Sequence, residues 1–146
     1  MIPKDYIKNV LITESVDFEK IAKRFQDKGF LRILHGACGC ITESGELMDQ
    51  IKKSIFYDLP LDRTNVLEEI SDNLWYIAVI LDELGISFEQ AMENNIKKLR
   101  KRYGDKWNKN GALNRDLKAE REILEEVKIK DNKCENCNCV DKQRLY

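Results

Sequence analysis

Apolar positions recur along most of the chain in steps of three and four, the spacing of one covered helix face. From Asp5 to about Gln26 they fall at Tyr6, Ile7, Val10, Leu11, Phe18, Ile21, Ala22 and Phe25. This predicts two short amphipathic helices broken near Thr13 to Asp17, with Asp17 as an N-cap. Lys28-Gly29 reads as a helix stop. Leu31, Leu34, Ala37, Cys38, Ile41, Met48, Ile51 and Ile55 then predict a long helix over about 31–55. Its glycines at 36, 39 and 45 each cost about 1 kcal/mol relative to alanine, so they imply a crowded face where another helix or a ligand approaches.

A loop is expected over Tyr57 to Arg63, because Pro60 restricts its predecessor and polar neighbours offer caps. Val66, Leu67, Ile70, Leu74, Ile77, Ala78, Leu81 and Leu84 stripe a third helix that Gly85 ends. Ser87-Phe88-Glu89-Gln90 reads as a capping box opening a fourth helix, which closes near Gly104. Asn114 to Lys128 predicts one more charged helix. Asp131 to Tyr146 has too few apolar residues to be held in a core and is expected to be a flexible tail.

Composition narrows the picture to one all-α domain over 1–130, a bundle of four to six helices, followed by the tail over 131–146. The 146 residues are 42% hydrophobic and 35% charged with 7 Gly and 2 Pro, which disfavours disorder and turn-rich β folds. A net charge of −1 gives no overall drive toward nucleic acid or anionic lipid. No apolar run reaches the ~18 residues that span a bilayer, and the start lacks the apolar core of a signal peptide. A cytoplasmic protein with no membrane partner is expected. Five cysteines, an odd number, do not form a disulfide framework. Cys134, Cys137 and Cys139 have C-x-x-C spacing suited to zinc or redox chemistry, but three thiols make an incomplete site and their role stays open.

The chemistry concentrates in two acidic pairs, Glu43/Glu46 and Glu69/Asp72, each at i,i+3. At 100° per residue the carboxylates of a pair sit about 60° apart on one helix face. If the two helices pack antiparallel through the short loop, the forks face each other. Four carboxylates at about 6 Å and an effective dielectric near 20 repel by roughly 2.8 kcal/mol per pair, so such a cluster demands cations or large pKa shifts. Solvated acidic faces are the other reading of the same residues.

Three segments carry a resemblance: His35 to Leu47, Leu67 to Tyr76, and Asn95-Ile96-Lys97-Lys98-Leu99-Arg100-Lys101-Arg102-Tyr103. The chain resembles the MazG-like all-α nucleoside triphosphate pyrophosphohydrolases over roughly 31–107, and short phage-type members over about 5–126. Ser71-Asp72-Asn73 departs from the Gly-Asp-Val more usual there, which keeps the ligand and adds polar groups beside it. The resemblance implies a metal site of Glu43, Glu46, Glu69 and Asp72 holding Mg²⁺, with Mn²⁺ as the alternative. It implies hydrolysis of a (deoxy)nucleoside triphosphate to monophosphate and pyrophosphate, in nucleotide pool control of a bacterial or phage-infected cell. It also implies a homodimer or homotetramer, consistent with the open apolar face of so small a subunit.

The residues suit that chemistry, since a divalent cation neutralises triphosphate and carboxylates together. Glu46, beside the small Gly45, is the preferred proton acceptor, although the sequence does not choose among the glutamates. Lys53, Lys98 and Arg102 are candidate phosphate contacts, and Asn95 and Tyr103 candidate supports for phosphate or sugar. His35 is expected to be a packed or pocket-lining residue. Trp75 and Tyr76 are placed to stack a base or to serve as packing. The rival reading is a helical nucleic-acid-binding module that uses the basic 97–109 stretch.

Overall fold

The computed structural model describes residues 3–130; the cysteine-containing tail expected from Asp131 lies outside the described residues. Among them are seven helices and no strand, in keeping with the all-α class: α1 (Pro3–Ile12), α2 (Phe18–Arg24), α3 (Lys28–Phe56), α4 (Arg63–Leu84), α5 (Phe88–Tyr103), α6 (Lys109–Leu113) and α7 (Leu117–Leu124). No helix among them is long and apolar enough to cross a membrane. The described residues divide into two compact units, 3–31 and 32–130.

In the first unit α1 ends where the Thr13 hydroxyl donates to the Val10 carbonyl (2.9 Å). The expected break before Asp17 is present, and the Asp17 carboxylate accepts from Lys20 N–H at the start of α2. The helix stop expected at Lys28-Gly29 is instead a helix start. Asp27 accepts from the backbone N–H of Phe30 through its carboxylate and of Leu31 through its carbonyl, so α3 opens at Lys28 with Gly29 inside its first turn. Phe25 and Phe30 meet edge to face, ring centroids 5.9 Å apart.

In the second unit α3 and α4 run antiparallel, joined by the loop around Pro60. Arg32 reaches Asp82 (2.6 Å) and Glu83 (2.7 Å) at one end, and Ser44 reaches Asn73 (3.3 Å) toward the other. Between these ties two of the three expected glycines explain themselves. A Cβ on Gly36 would strike Ile80, and one on Gly39 would overlap the edge of the Tyr76 ring. Gly45 departs from the expectation: nothing lies within 4 Å of its would-be Cβ, so it marks no crowded face. Asp62 caps α4 by accepting from Thr64 and Asn65, and Gly85 ends it in the left-handed conformation at φ 67°.

The capping box that opens α5 is formed, Ser87 Oγ accepting from Gln90 N–H (3.2 Å) and Gln90 Oε1 from Ser87 N–H (2.9 Å). The helix expected over 114–128 is the shorter α7, capped by Asp116, and a further short helix, α6, capped by Asn108, precedes that span. The unexpected α6 takes the helix number among the described residues past the four to six expected. α7 packs on α5 through an ionic clamp. The Arg102 guanidinium grips Glu120 at 2.9 and 2.6 Å, and Arg115 adds a contact of 2.7 Å. These hydrogen bonds hold the Glu120 carboxyl at about 2.

Among the described residues no apolar side chain is buried. The buried positions are Gly36, Gly39 and Gly111 with Glu69, Glu83 and Glu120. Helix contact inside this unit therefore depends on absent side chains and on paired charges.

Gly39→Ala is expected to destabilise the fold by about 1–3 kcal/mol, since the ring of Tyr76 has to leave the α3 backbone. Gly45→Ala, in open space, is expected to stabilise it by about 0.5–1 kcal/mol through helix propensity. Denaturant unfolding of the two variants beside the native chain checks the opposite signs.

Candidate functional site

The antiparallel pairing of α3 with α4 brings acidic groups of both helices together. Glu43 from α3 and Glu69 and Asp72 from α4 offer carboxylate oxygens that all lie within 4.8 Å of one another. Glu69 is buried at 4% exposure, Glu43 half-buried and Asp72 exposed, so the group opens from the helix contact toward solvent. Glu46 stands outside this group on the exposed side of α3, yet its charge acts on Glu69.

The ladder of contacts between the helices sets this geometry. Ser44 Oγ donates to the Cys40 carbonyl (2.6 Å) and toward Asn73 Oδ1 (3.3 Å), while Asn73 Nδ2 donates to the Glu69 carbonyl (2.9 Å). Asn73 thus ties α4 to α3 beside the acidic pairs, whereas the Ser71 hydroxyl donates to the Leu67 carbonyl of its own helix (2.8 Å). Thr42 Oγ1 donates to the Gly39 carbonyl (2.8 Å) and toward Glu43 Oε1 (3.2 Å). Asn65 Nδ2 donates to Glu69 Oε1 at 2.8 Å.

Electrostatics mark Glu69 within the group. Burial first, and then the neighbouring Glu46 and Glu43, push its carboxyl up from the ordinary value, while Asn65 pulls it down. Octahedral coordination at about 2.1 Å places ligand oxygens about 3.0 Å apart when adjacent and about 4.2 Å apart when opposite. Three hard oxygen donors within 4.8 Å, one of them buried and its carboxyl pushed up by burial and by acidic neighbours, fit a small divalent cation.

A cavity of about 300 Å³ adjoins the cluster, lined by Glu43, Asp72, Trp75 and Tyr76. Tyr76 lies against Gly39 of α3, whereas Trp75 is 56% exposed. His35 packs edge to face on both rings, at 6.2 Å from Trp75 and 5.6 Å from Tyr76, and the two aromatics meet each other at 5.0 Å. His35 is thus a packed residue of the aromatic wall, as expected from the sequence.

The candidate phosphate contacts fare differently. Lys53 is paired with Asp49 at 2.8 Å on its own helix. Lys98 is half-buried on α5 with no ion pair among the described residues, and Asn95 is exposed on the same helix. Arg102, read from the sequence as a phosphate contact, has its guanidinium committed to Glu120. Tyr103 packs where a Cβ on Gly111 would touch it, with Arg102 5.5 Å from its ring centroid. Both residues serve the contact of α5 with α6 and α7 here. The sequence reading missed Asn65 and Thr42; an amide four residues before Glu69 on one helix was the available signal.

Residues 37–107 match the MazG nucleotide pyrophosphohydrolase domain, and the chain is MazG-like. The matched span holds all four acidic residues together with Trp75 and Tyr76, and it points to nucleotide pyrophosphohydrolase chemistry. No curated protein and no solved structure matches the chain.

The raised carboxyl of Glu69 fixes a sign. The fold binds this proton more tightly than the unfolded chain does, so the stabilisation is complete below the unfolded value and is lost as pH rises through the folded one. In chelator, the melting temperature of the native protein should fall across that window relative to Glu69→Gln. Parallel melting curves of the two chains against pH check this, and equal slopes would deny Glu69 the role.

Proposed function

With a MazG-like domain over residues 37–107 as premise, we propose that the protein hydrolyses a (deoxy)nucleoside triphosphate between its α- and β-phosphates, releasing the monophosphate and pyrophosphate. The observation that carries the reading is the Glu43, Glu69 and Asp72 oxygen group beside a cavity walled by Trp75 and Tyr76. Glu43, Glu69 and Asp72 hold Mg²⁺ or Mn²⁺, and Glu46 completes the acidic set. When bound, the cation supplies charge neutralisation for the triphosphate oxygens and acidifies water. The chain's own residues do the remainder. Glu46, exposed at the rim, accepts the proton that the attacking water loses. Lys98, free of a carboxylate partner among the described residues, offers its ammonium to phosphate oxygens. Asn95 adds an amide to the sugar or phosphate. Arg102 and Lys53 take up this role only by leaving Glu120 and Asp49.

The assembly follows from what the described residues leave uncovered. Ile41, Met48, Ile55 and Phe56 on α3 and Leu67, Leu74 and Ile77 on α4 are exposed, and no apolar side chain is buried. Further copies of the chain cover this surface in a homodimer or homotetramer, turning it into the missing core. Cytoplasmic nucleotides, in a bacterial or phage-infected cell, are the pool on which such an enzyme acts. The nucleic-acid reading is weakened, because Lys97 meets Glu126 at 3.5 Å and Arg102 is clamped by Glu120.

A panel of (d)NTPs with Mg²⁺ should yield pyrophosphate without orthophosphate from at least one member, and chelation should abolish it. Asp72→Asn should lower turnover about a hundredfold or more, while Glu68→Gln, about 100° around α4 from Glu69, should stay near native. Native activity in Asp72→Asn, or greater damage in Glu68→Gln, would remove this face of α4 from the metal. Light scattering at micromolar concentration should give two or four chain masses, and a well-folded monomer would refute the assembly.

A further inference from the structure

Asn65 lies on the first turn of α4, where its backbone N–H is fixed by the Asp62 carboxylate at 3.1 Å. Its side chain runs along the helix to the residue four ahead, donating to Glu69 Oε1 at 2.8 Å, with Glu68 Oε2 at 3.2 Å from the same nitrogen. The spacing is that at which side chains on one helix face meet. Among the described residues Asn65 supplies the one N–H that reaches the Glu69 carboxylate.

The chemistry of this donor distinguishes it from those at the other buried glutamates. Glu83 meets the Arg32 guanidinium, and Glu120 meets Arg102 and Arg115. A guanidinium beside Glu69 would neutralise it and compete with any cation shared with Glu43 and Asp72. An amide restrains the carboxylate while leaving its charge available. With Oε1 tied at 2.8 Å, the carboxylate is restrained about its last torsion.

Resting on the metal-dependent reading above, we infer that Asn65 is a positioning residue for Glu69, whose neutral hydrogen bond prepares that carboxylate for divalent cation binding. Hydrogen bonds to ligating side chains commonly carry 10–100-fold of metal affinity. Asn65 is half-buried and outside the group of candidate ligands, so it acts through Glu69 alone.

The test is Mn²⁺ affinity of the full chain, measured by electron paramagnetic resonance of free Mn²⁺ for the native protein, Asn65→Ala, Asn65→Gln and Glu69→Gln, with melting in chelator recorded alongside. Asn65→Ala should bind Mn²⁺ ten- to a hundredfold more weakly with its chelated melting unchanged, and Asn65→Gln, which keeps an amide donor, should recover most of the affinity. Glu69→Gln identifies which reading fails. If it loses Mn²⁺ while Asn65→Ala stays within threefold of native, the positioning role is overturned and the metal site stands. If Glu69→Gln binds as the native chain does, or the native chain binds none, the metal reading itself falls. A loss in Asn65→Ala matched by lower melting in chelator, or a glutamine that restores nothing, would reduce Asn65 to a structural residue and overturn the proposal.

Discussion

The near-contact of α3 and α4 at Gly36 and Gly39 is the constraint on which the rest of the second unit depends. Two helices ordinarily stand 8–10 Å apart because side chains fill the space between them. Where both positions on one helix lack a Cβ, Ile80 and the Tyr76 ring come to rest on backbone. The approach locks the register of the pair, and register decides which residues oppose each other further along. Arg32 meets Asp82 and Glu83 at one end of this ladder, and Glu43 meets Glu69 and Asp72 toward the other. A carboxylate cluster repels itself, so it requires helices held together by something other than its own members.

The three buried glutamates show how one residue type is used for different ends. Glu120 and Glu83 each meet arginine, and such charge-assisted pairs join helices. Glu69 has the same burial and no cation among the described residues, only other carboxylates and an amide. Burial without charge compensation raises the carboxyl of Glu69, whereas Glu120 is held at about 2. The contrast in partner chemistry, more than the burial, separates a glutamate that fastens the fold from one available to a ligand.

Helix positions were legible where local chemistry is decisive. Asp17, Asp62 and the Ser87/Gln90 box are side chains that satisfy the first amides of a helix, and Gly85 adopts a backbone conformation that other residues resist. Lys28-Gly29 reads as a stop because glycine in a first turn resembles glycine after a last one, and it is Asp27, accepting the first amides of α3, that decides for a start. The acidic pairs were legible from i,i+3 spacing, and the meeting of Glu43 with Glu69 and Asp72 required only an antiparallel hairpin. The tie between Arg102 and Glu120 was not, since an arginine on a basic stretch gives no sign of a partner eighteen residues away. Nor was the openness around Gly45, because a helical glycine looks the same whether its neighbour is a ring or water.

Everything that gathers at the acidic cluster belongs to one uninterrupted helical hairpin, from Arg32 through Leu84, with the capped turn of Asp62 between its arms. Contacts within a hairpin close short loops, and loops of modest length cost little entropy to close. Pairings of low sequence separation are also those that form fastest. The cluster can therefore assemble on a growing chain before the arginines and glutamate of the α5–α7 clamp have been made. Whatever happens to the later helices, the order of synthesis completes this hairpin and its acidic residues first.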